Sequence, residues 1–344
     1  MTTTVLVTGA SGFIARHIVL RLLDRGHAVR GSVRSPARGE DLRAAIAPLL
    51  KDPAAIARLS FVTLDLLADA GWAEAASGAG AVIHTASPFP VSQPRDADAL
   101  IRPAVDGTLR ALRAARAAGV GRVVLTSSVA AVVHAPLRAG RDSHDEEDWS
   151  RTDLATATPY VQSKTLAERA AWDFAAREAP GMALTAINPA FVLGPPLGGV
   201  WGSSVGVIGR MLAGRDPAVP RLGLSVVDVR DVAEMHVRAL ERPSTAGRRY
   251  TASAGQMWFR EMALALKAAF PDRRIATREA PYWLMWLLGR FDGEARAILP
   301  SLGRMERVSN ARAVAELGMD FIPPREALLA AARVLAGDGA RAAA

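Results

Sequence analysis

Tyr160 and Lys164 are the side chains of this sequence whose types and spacing best suit acid–base chemistry. They stand four residues apart in a segment with helical periodicity, so they are neighbours on one helix face. An isolated tyrosine has a pKa of about 10, and an ammonium one turn away favours the phenolate and brings that pKa closer to neutral. The pair therefore predicts a proton donor for a carbonyl oxygen whose carbon receives a hydride. A solvated helix face is the alternative.

Two serines close a predicted strand at residues 122–126, because Thr126 is followed by Ser127 and Ser128. A hydroxyl at this strand end could hydrogen-bond a substrate carbonyl and polarise it. We therefore expect one of the two serines to complete a Ser-Tyr-Lys arrangement. The alternative is a serine that only terminates the strand.

A glycine-containing turn near the start of the chain indicates a dinucleotide. Residues 8–15 read TGASGFIA between a strand pattern at 4–7 and a helix pattern at 14–25. Gly9 permits the tight turn, Gly12 lets the backbone approach a pyrophosphate, and the helix N-terminus supplies free N–H groups. The expected cofactor contacts here are Thr8, Gly9, Ser11, Gly12, Phe13 and Ile14. The alternative is a turn with a purely structural role.

The end of the second predicted strand distinguishes NADP from NAD. An NAD enzyme usually carries an acid there for the ribose hydroxyls, but this chain has none before Glu40. Arg34 stands where a guanidinium could bind a 2′-phosphate with two hydrogen bonds, assisted by Arg38. The sequence therefore favours NADP, unless Arg34 is only a solvated loop arginine.

The elements that would position these residues alternate between strand and helix. Apolar runs without alternation predict buried parallel strands, and amphipathic stretches between them predict helices, among them 41–50, 105–118 and 159–177. This pattern predicts a doubly wound α/β Rossmann-type fold whose ligands bind at the carboxyl ends of the strands. At one such end, His84 is expected to be packed, whereas Thr85, Ala86 and Ser87 are expected to pass the cofactor phosphates and ribose.

The regular alternation stops after residue 190, at a Gly/Pro-rich segment. We expect a dinucleotide-binding domain over 1–190 and a smaller, mainly helical substrate lobe over 191–344. Residues 225–241 resume a strand-then-helix pattern and are predicted to return to the first domain.

Composition narrows the function class. The chain has no cysteine, which excludes disulfides and thiolate metal sites, and no metal is expected. The net charge of +8 is mostly scattered arginine without dense basic blocks, so a nucleic-acid partner is not expected. Neither a signal peptide nor a membrane span is recognisable, and a cytoplasmic location is expected.

Together these features resemble the extended short-chain dehydrogenase/reductase family over roughly residues 4–320. The matching features are the glycine-containing turn, Asp65, Ser128, Tyr160, Lys164, Asn188-Pro189 and the VVDVRDV stretch at 226–232. Residues 31–34 (GSVR), 84–89 (HTASPF) and 145–149 (DEEDW) are similar to dihydroflavonol reductases, cinnamoyl-CoA reductases and related NADPH aldehyde/ketone reductases.

The resemblance implies roles for further residues. It assigns the catalytic serine to Ser128, with Ser127 as the alternative, and gives Lys164 the nicotinamide ribose hydroxyls. It implies that Asp65, beside Leu66, accepts a hydrogen bond from the adenine amino group, although Asp65 could equally cap the following helix. The expected nicotinamide contacts are Pro189, Ala190 and Val192. A homodimer through two long helices of each subunit is implied in the same way.

The expected reaction is NADPH-dependent reduction of an aldehyde, ketone or 2-oxo ester. We expect a small apolar carbonyl substrate beside Phe89, Val129, Phe191 and Trp201, unless these side chains face the core. The residues after Ser128 lack the polar side chain with which flavonoid reductases read a catechol ring. The rival functions are an NAD-dependent sugar-nucleotide epimerase or dehydratase and a non-catalytic dinucleotide sensor. The missing acid opposes the epimerase, and the retained Tyr160/Lys164 pair opposes the sensor.

Overall fold

The fold is described from a computed structural model that covers residues 3–87, 96–154, 156–291 and 293–337. Its strands in chain order are β1 (Thr4–Thr8), β2 (Ala28–Val33), β3 (Leu59–Thr63), β4 (Ala81–His84), β5 (Arg122–Thr126), β6 (Ala183–Pro189), β7 (Phe191–Leu193), β8 (Gly223–Asp228), β9 (Arg248–Ala252) and β10 (Gly255–Trp258). In these ranges, seven strands form one parallel sheet in the order β3-β2-β1-β4-β5-β6-β9. The predicted doubly wound α/β class is confirmed.

Helices cover both faces of this sheet. They are α1 (Phe13–Asp24), α2 (Pro36–Ile46), α3 (Trp72–Ala76), α4 (Asp98–Ala117), α5 (Pro159–Arg177) and, from later in the chain, α7 (Val229–Glu241). Alternate residues of one strand point to opposite faces, so Val5 and Val7 of β1 join the core under α1 and α7. Leu6 between them joins the core under α4 and α5. Burial on both faces explains the uninterrupted apolar strands.

The remaining elements form a smaller lobe around a second sheet. In the described ranges this sheet has the order β10-β8-β7, with β8 parallel to β7 and antiparallel to β10. The lobe helices are α6 (Ser203–Leu212), α8 (Phe259–Ala269), α9 (Tyr282–Leu288), α10 (Gly293–Ile298), α11 (Ala311–Leu317) and α12 (Pro324–Leu335). Residues 225–241, which are predicted to return to the first domain, divide between the two sheets. The helix α7 packs on the first domain, but the strand β8 belongs to the lobe sheet, and the unpredicted β9 closes the main sheet.

Two predicted helix starts are wrong. The helix predicted over 41–50 begins at Pro36 and ends at Ile46, because proline at the first position has a suitable φ and lacks an N–H that would be unsatisfied there. The helix predicted over 105–118 begins at Asp98 and contains Pro103. Pro103 locally disfavours a helix at this position, but tertiary packing of α4 on α5 outweighs this local preference. The bounds predicted for α5 are confirmed.

Two mid-helix glycines should respond in opposite ways to alanine. A Cβ at Gly209 in α6 would meet only Leu335 Cδ1, at 3.7 Å, whereas a Cβ at Gly107 in α4 would overlap the Leu66 side chain. Alanine usually stabilises a helix by about 0.5–1 kcal/mol relative to glycine, but overpacking costs about 1–3 kcal/mol. We therefore expect Gly209→Ala to raise the urea midpoint of unfolding and Gly107→Ala to lower it. Two shifts of the same sign would contradict the packing at Gly107.

Candidate active site

The glycine-containing turn joins β1 to α1 as the sequence predicts. Gly9 has a φ of +65°, and a Cβ there would lie 3.0 Å from Ala86 Cα, so the backbone conformation and the close approach of β4 both require glycine. Gly12 is the N-cap of α1, and no side chain caps this helix. The first N–H groups of α1, those of Phe13 and Ile14, come shortly after Ser11 and therefore face the end of the sheet. Free N–H groups at a helix N-terminus suit a pyrophosphate.

Thr8 connects this turn to the end of β4. The Thr8 hydroxyl accepts the N–H groups of Thr85 and Ala86, each at 3.1 Å, and lies 2.8 Å from His84 Nδ1. The Thr85 hydroxyl donates to the Thr8 carbonyl. Burial lowers the pKa of His84 to about 3, so this histidine is neutral near pH 7. His84 is thus a packed residue that holds two strand ends together.

Two exposed arginines follow the end of β2. Arg34 and Arg38 are exposed at the start of α2, and within the described ranges no ion pair engages either guanidinium. The carboxylate of Glu40 lies 3.5 Å from Arg43. Ser32 Oγ accepts the Gly9 N–H at 3.0 Å and thereby joins β2 to the turn. Two free cations and a positive helix end make this edge suitable for a phosphate.

Asp65 lies at the end of β3. Its Oδ1 accepts the Leu67 N–H at 2.9 Å and stabilises a local turn. Helix α3 begins later, at Trp72 behind Gly71, so the alternative that Asp65 caps this helix is wrong. Leu66 packs against α4 at Gly107. The exposed Asp65 carboxylate retains a second oxygen for a ligand such as an adenine amino group.

The three expected catalytic side chains converge at the carboxyl end of the main sheet. Helix α5 begins at Pro159 behind the N-cap Thr158, whose hydroxyl accepts the Val161 N–H at 3.3 Å. This start places Tyr160 in the first turn, where its hydroxyl donates to Ser128 Oγ at 3.4 Å. One turn later, Lys164 Nζ donates to Ser87 Oγ at 3.1 Å.

Burial dominates the protonation of this pair. Desolvation raises the pKa of Tyr160 above its ordinary value, and the hydrogen bond with Ser128 partly opposes this rise. Desolvation also lowers the pKa of Lys164 to about 8, although the negative charge of Glu168 opposes this fall. The direction for Tyr160 is opposite to the effect expected from the lysine alone, because removing the phenol from water disfavours its charged form.

The two adjacent serines have different partners. Ser127 Oγ donates to Glu168 Oε2 at 2.5 Å, whereas Ser128 Oγ faces Tyr160 and accepts the Ala130 N–H at 3.1 Å. Ser127 is therefore engaged with a buried carboxylate behind the strand end. The position beside the tyrosine belongs to Ser128.

A buried network behind the catalytic side chains was not expected from the sequence. Glu168 Oε1 accepts from Arg249 Nε at 2.6 Å, and Oε2 accepts from Asn188 Nδ2 at 2.7 Å. Arg249 also donates to the carbonyls of Glu146 and Asp148, and its guanidinium lies 3.7 Å from the centre of the Trp149 ring. Glu168 lies four residues after Lys164 and eight after Tyr160, so the three side chains share one face of the helix. This spacing is the sequence signal that could have revealed Glu168.

Helix α1 holds the segment that follows β7. Arg16 Nε donates to the Ser11 carbonyl at 3.1 Å, and its Nη1 donates to the Leu197 carbonyl at 3.2 Å. His17 Nε2 lies 3.0 Å from the Pro195 carbonyl oxygen. The turn and the loop at 194–199 are thus fixed to the same helix.

The expected nicotinamide contacts lie where β6 passes into β7. Pro189 ends β6, the Ala190 N–H donates to the Ala252 carbonyl at 3.0 Å, and Val192 is buried in β7. These residues follow the same sheet edge as Ser128. The backbone here is therefore on the catalytic side of the sheet.

The structure does not assemble the expected substrate lining into one surface. Val129 is buried in the main core, which matches the alternative stated for it, and Phe191 is partly buried with its ring centroid 6.4 Å from that of Phe259. Trp201 lies just before α6 and is 50% exposed. Phe89 lies outside the described residues.

The described ranges contain neither a candidate metal site nor a candidate membrane span. No group of three or more His, Cys, Asp or Glu side chains there could hold a metal ion. No helix in those ranges is long and apolar enough to cross a membrane.

Comparisons with known proteins indicate the family of this chain. The model of the NAD dependent epimerase/dehydratase family matches residues 5–253. The chain is 37% identical over 276 residues to cinnamoyl-CoA reductase 2 of Arabidopsis thaliana, covering 80% of each chain. It is 32% identical over 281 residues to dihydroflavonol 4-reductase of Zea mays, covering 80% of this chain and 76% of that one.

Solved structures give the same result. The yeast methylglyoxal/isovaleraldehyde reductase Gre2, in complex with NADPH, superposes with a TM-score of 0.77 and 27% identity over 97% of this chain and 99% of that one. The structural similarity therefore extends over nearly the whole chain, and the sequence similarity over most of it. The chain belongs to the NAD dependent epimerase/dehydratase family of extended short-chain dehydrogenases/reductases, in the branch that contains the cinnamoyl-CoA and dihydroflavonol reductases.

Proposed function

We propose that this protein is an NADPH-dependent carbonyl reductase that converts an aldehyde, ketone or 2-oxo ester to an alcohol. The observation that carries this proposal is the convergence of Ser128, Tyr160 and Lys164 at the sheet edge that also holds the glycine-containing turn. A proton donor next to a dinucleotide site is the arrangement that carbonyl reduction requires.

The site residues fit a bound dinucleotide. Gly9 and the first turn of α1 would hold the pyrophosphate, Arg34 the 2′-phosphate and Asp65 the adenine. Lys164 would hold the nicotinamide ribose hydroxyls beside Ser87. The nicotinamide contacts would come from Pro189, Ala190 and Val192. Gre2 with NADPH is the neighbour that supports NADP over NAD.

The hydroxyls of Ser128 and Tyr160 would bind the substrate carbonyl oxygen together. The reduced nicotinamide supplies the hydride that the carbonyl carbon receives. As negative charge develops on the oxygen, Tyr160 gives it the phenolic proton, and the alcohol forms. The Lys164 ammonium stabilises the resulting phenolate until a proton returns from solvent.

We propose a medium-sized, largely apolar substrate rather than a sugar nucleotide. Relatives named for cinnamoyl-CoA and methylglyoxal reduction support a carbonyl substrate. The described side chains proposed for the pocket are Phe191 and Trp201, which offer a sugar few hydrogen-bond partners. A homodimer through two long helices of each subunit and a cytoplasmic location stay predictions.

Tyr160→Phe tests the proton donor. It removes the hydroxyl and keeps the ring, so turnover should fall by about 10²-fold or more while the Kd for NADPH stays within a few-fold. The measurements are steady-state NADPH oxidation and NADPH fluorescence titration. Tyr282→Phe, at an exposed position, is the matched control and should retain full activity. Turnover of Tyr160→Phe close to that of the parent would rule out the assigned role.

Arg34→Ala tests the reading of the 2′-phosphate. Losing a charge-assisted contact should weaken NADPH binding by roughly 2–4 kcal/mol and leave NADH binding nearly unchanged. Titration of both cofactors measures the difference, with Arg333→Ala on the exposed side of α12 as the control. Equal weakening of both cofactors would show that Arg34 has a structural role only.

The substrate class is tested by comparing two ligand sets. We expect NADPH-dependent turnover of aryl and alkyl carbonyl compounds, since apolar walls contribute about 25 cal/mol for each Å² that they remove from water. UDP- and dTDP-sugars should not bind in calorimetry, because each unpaired hydroxyl would cost about 1–3 kcal/mol. Micromolar binding of a sugar nucleotide without carbonyl reduction would favour the epimerase. NADPH binding without either carbonyl turnover or sugar-nucleotide binding would favour the non-catalytic dinucleotide sensor.

A further inference from the structure

Glu168 is a buried carboxylate that the mechanism above does not use. It is 1% exposed, and five donors converge on it, from Ser127, Trp172, Asn188 and twice from Arg249. Ser127 follows β5, Asn188 lies in β6, Arg249 lies in β9 and Trp172 lies on α5 itself. A charge that is removed from water in this way costs several kcal/mol unless it is paired and fully hydrogen-bonded. Glu168 meets that condition.

Glu168 and Lys164 both line one small cavity. Its volume is about 10 Å³, which is the space that one water molecule needs. His84, Thr108, Ser127, Lys164 and Glu168 all contribute to its lining. Within the described part of the chain, no direct ion pair joins the ammonium to the carboxylate.

His84 provides an independent sign that this cavity is polar. Its Nε2 atom is buried and has no hydrogen-bond partner among the described residues, although the residue lines the cavity. Native proteins rarely leave such an atom unsatisfied. One water would satisfy this nitrogen and connect it to the ammonium and the carboxylate.

The groups that face Lys164 come from few elements. Tyr160 and Glu168 lie on its own helix, and neutral His84 lies on β4. Thr108 of α4 also lines the cavity, and Arg249 of β9 lies behind Glu168. Glu168 is thus the anion whose charge opposes the effect of burial on the pKa of Lys164.

We propose that Glu168 is a positioning residue that keeps Lys164 charged, acting across a one-water cavity, and through Lys164 sets the protonation of Tyr160. The inference rests on the proposed reductase function. Glu168 touches neither the substrate site nor Tyr160 through any hydrogen bond found in the described residues. Its effect is transmitted by charge through a region of low dielectric constant, where such interactions are strong.

Glu168→Gln removes the charge and keeps the shape. We expect the alkaline limb of kcat/KM against pH to move down by about one pH unit, because an ammonium without its anion loses its proton at lower pH. The pH at which NADPH binding weakens should move in the same direction. Glu168→Asp, which retains the charge, should leave both profiles close to those of the parent. Glu178→Gln at the end of the same helix is the matched control.

A purely structural role gives a different result. If folded Glu168→Gln lost activity uniformly with an unmoved pH profile, the proposal would be overturned. Should this variant fail to fold because Arg249 is left unpaired, Glu168→Gln/Arg249→Met replaces the buried pair by neutral groups and should show a smaller shift in the same direction, because the more distant cation is removed as well. A parent enzyme without carbonyl reduction would contradict the proposed function, whereas the pH dependence of NADPH binding would still test Glu168.

The cavity is tested by a crystal structure of the NADPH complex. One ordered water within hydrogen-bond distance of His84 Nε2 and Lys164 Nζ is the expected result. A dry cavity would overturn the water link between Glu168 and Lys164.

Discussion

The buried pair of Glu168 and Arg249 is the interaction on which the rest of the site depends. Donors from three strand segments converge on Glu168: Ser127 follows β5, Asn188 lies in β6 and Arg249 lies in β9. The pair removes two charges from water, a cost that the surrounding hydrogen bonds must offset. Since Glu168 lies on α5, the same hydrogen bonds that satisfy it also fix the catalytic helix against the sheet.

This anchoring decides which side chains meet. Asn188 donates to both Glu168 and the Ser128 carbonyl, so the strand end that carries Ser128 is held in register with α5. The first turn of that helix then places the Tyr160 hydroxyl against Ser128. At the neighbouring strand ends, the Thr8 hydroxyl joins β1 to the segment that follows β4. This segment contains Ser87, which accepts the hydrogen bond from Lys164. Hydrogen bonds thus connect the glycine-containing turn and the candidate catalytic residues along one edge of the sheet.

The second lobe is coupled to this edge through α1. Arg16 and His17 hold the carbonyls of Leu197 and Pro195, and the helix begins at the turn expected to bind the pyrophosphate. Burial lowers the pKa of His17 to about 4, so this histidine is a neutral donor near pH 7. The loop that leads into the lobe is therefore fixed by the same helix that faces the cofactor site, which favours a constant distance between the two ligands.

Features that depend on neighbours along the chain could be predicted from the sequence: the parallel α/β class, the turn at Gly9, the helix with Tyr160 and Lys164, and the strands that end beside this turn and before Ser127. These follow from periodicity and from residues a few positions apart. The remaining features depend on contacts between distant parts of the chain. Glu168 and Arg249 are 81 residues apart, and nothing local indicates that β9 joins the main sheet while β8 leaves it. Likewise, Ser127 and Ser128 differ through their partners on α5, since Ser127 bonds to Glu168 and Ser128 to Tyr160, and both partners lie more than 30 residues further along the chain.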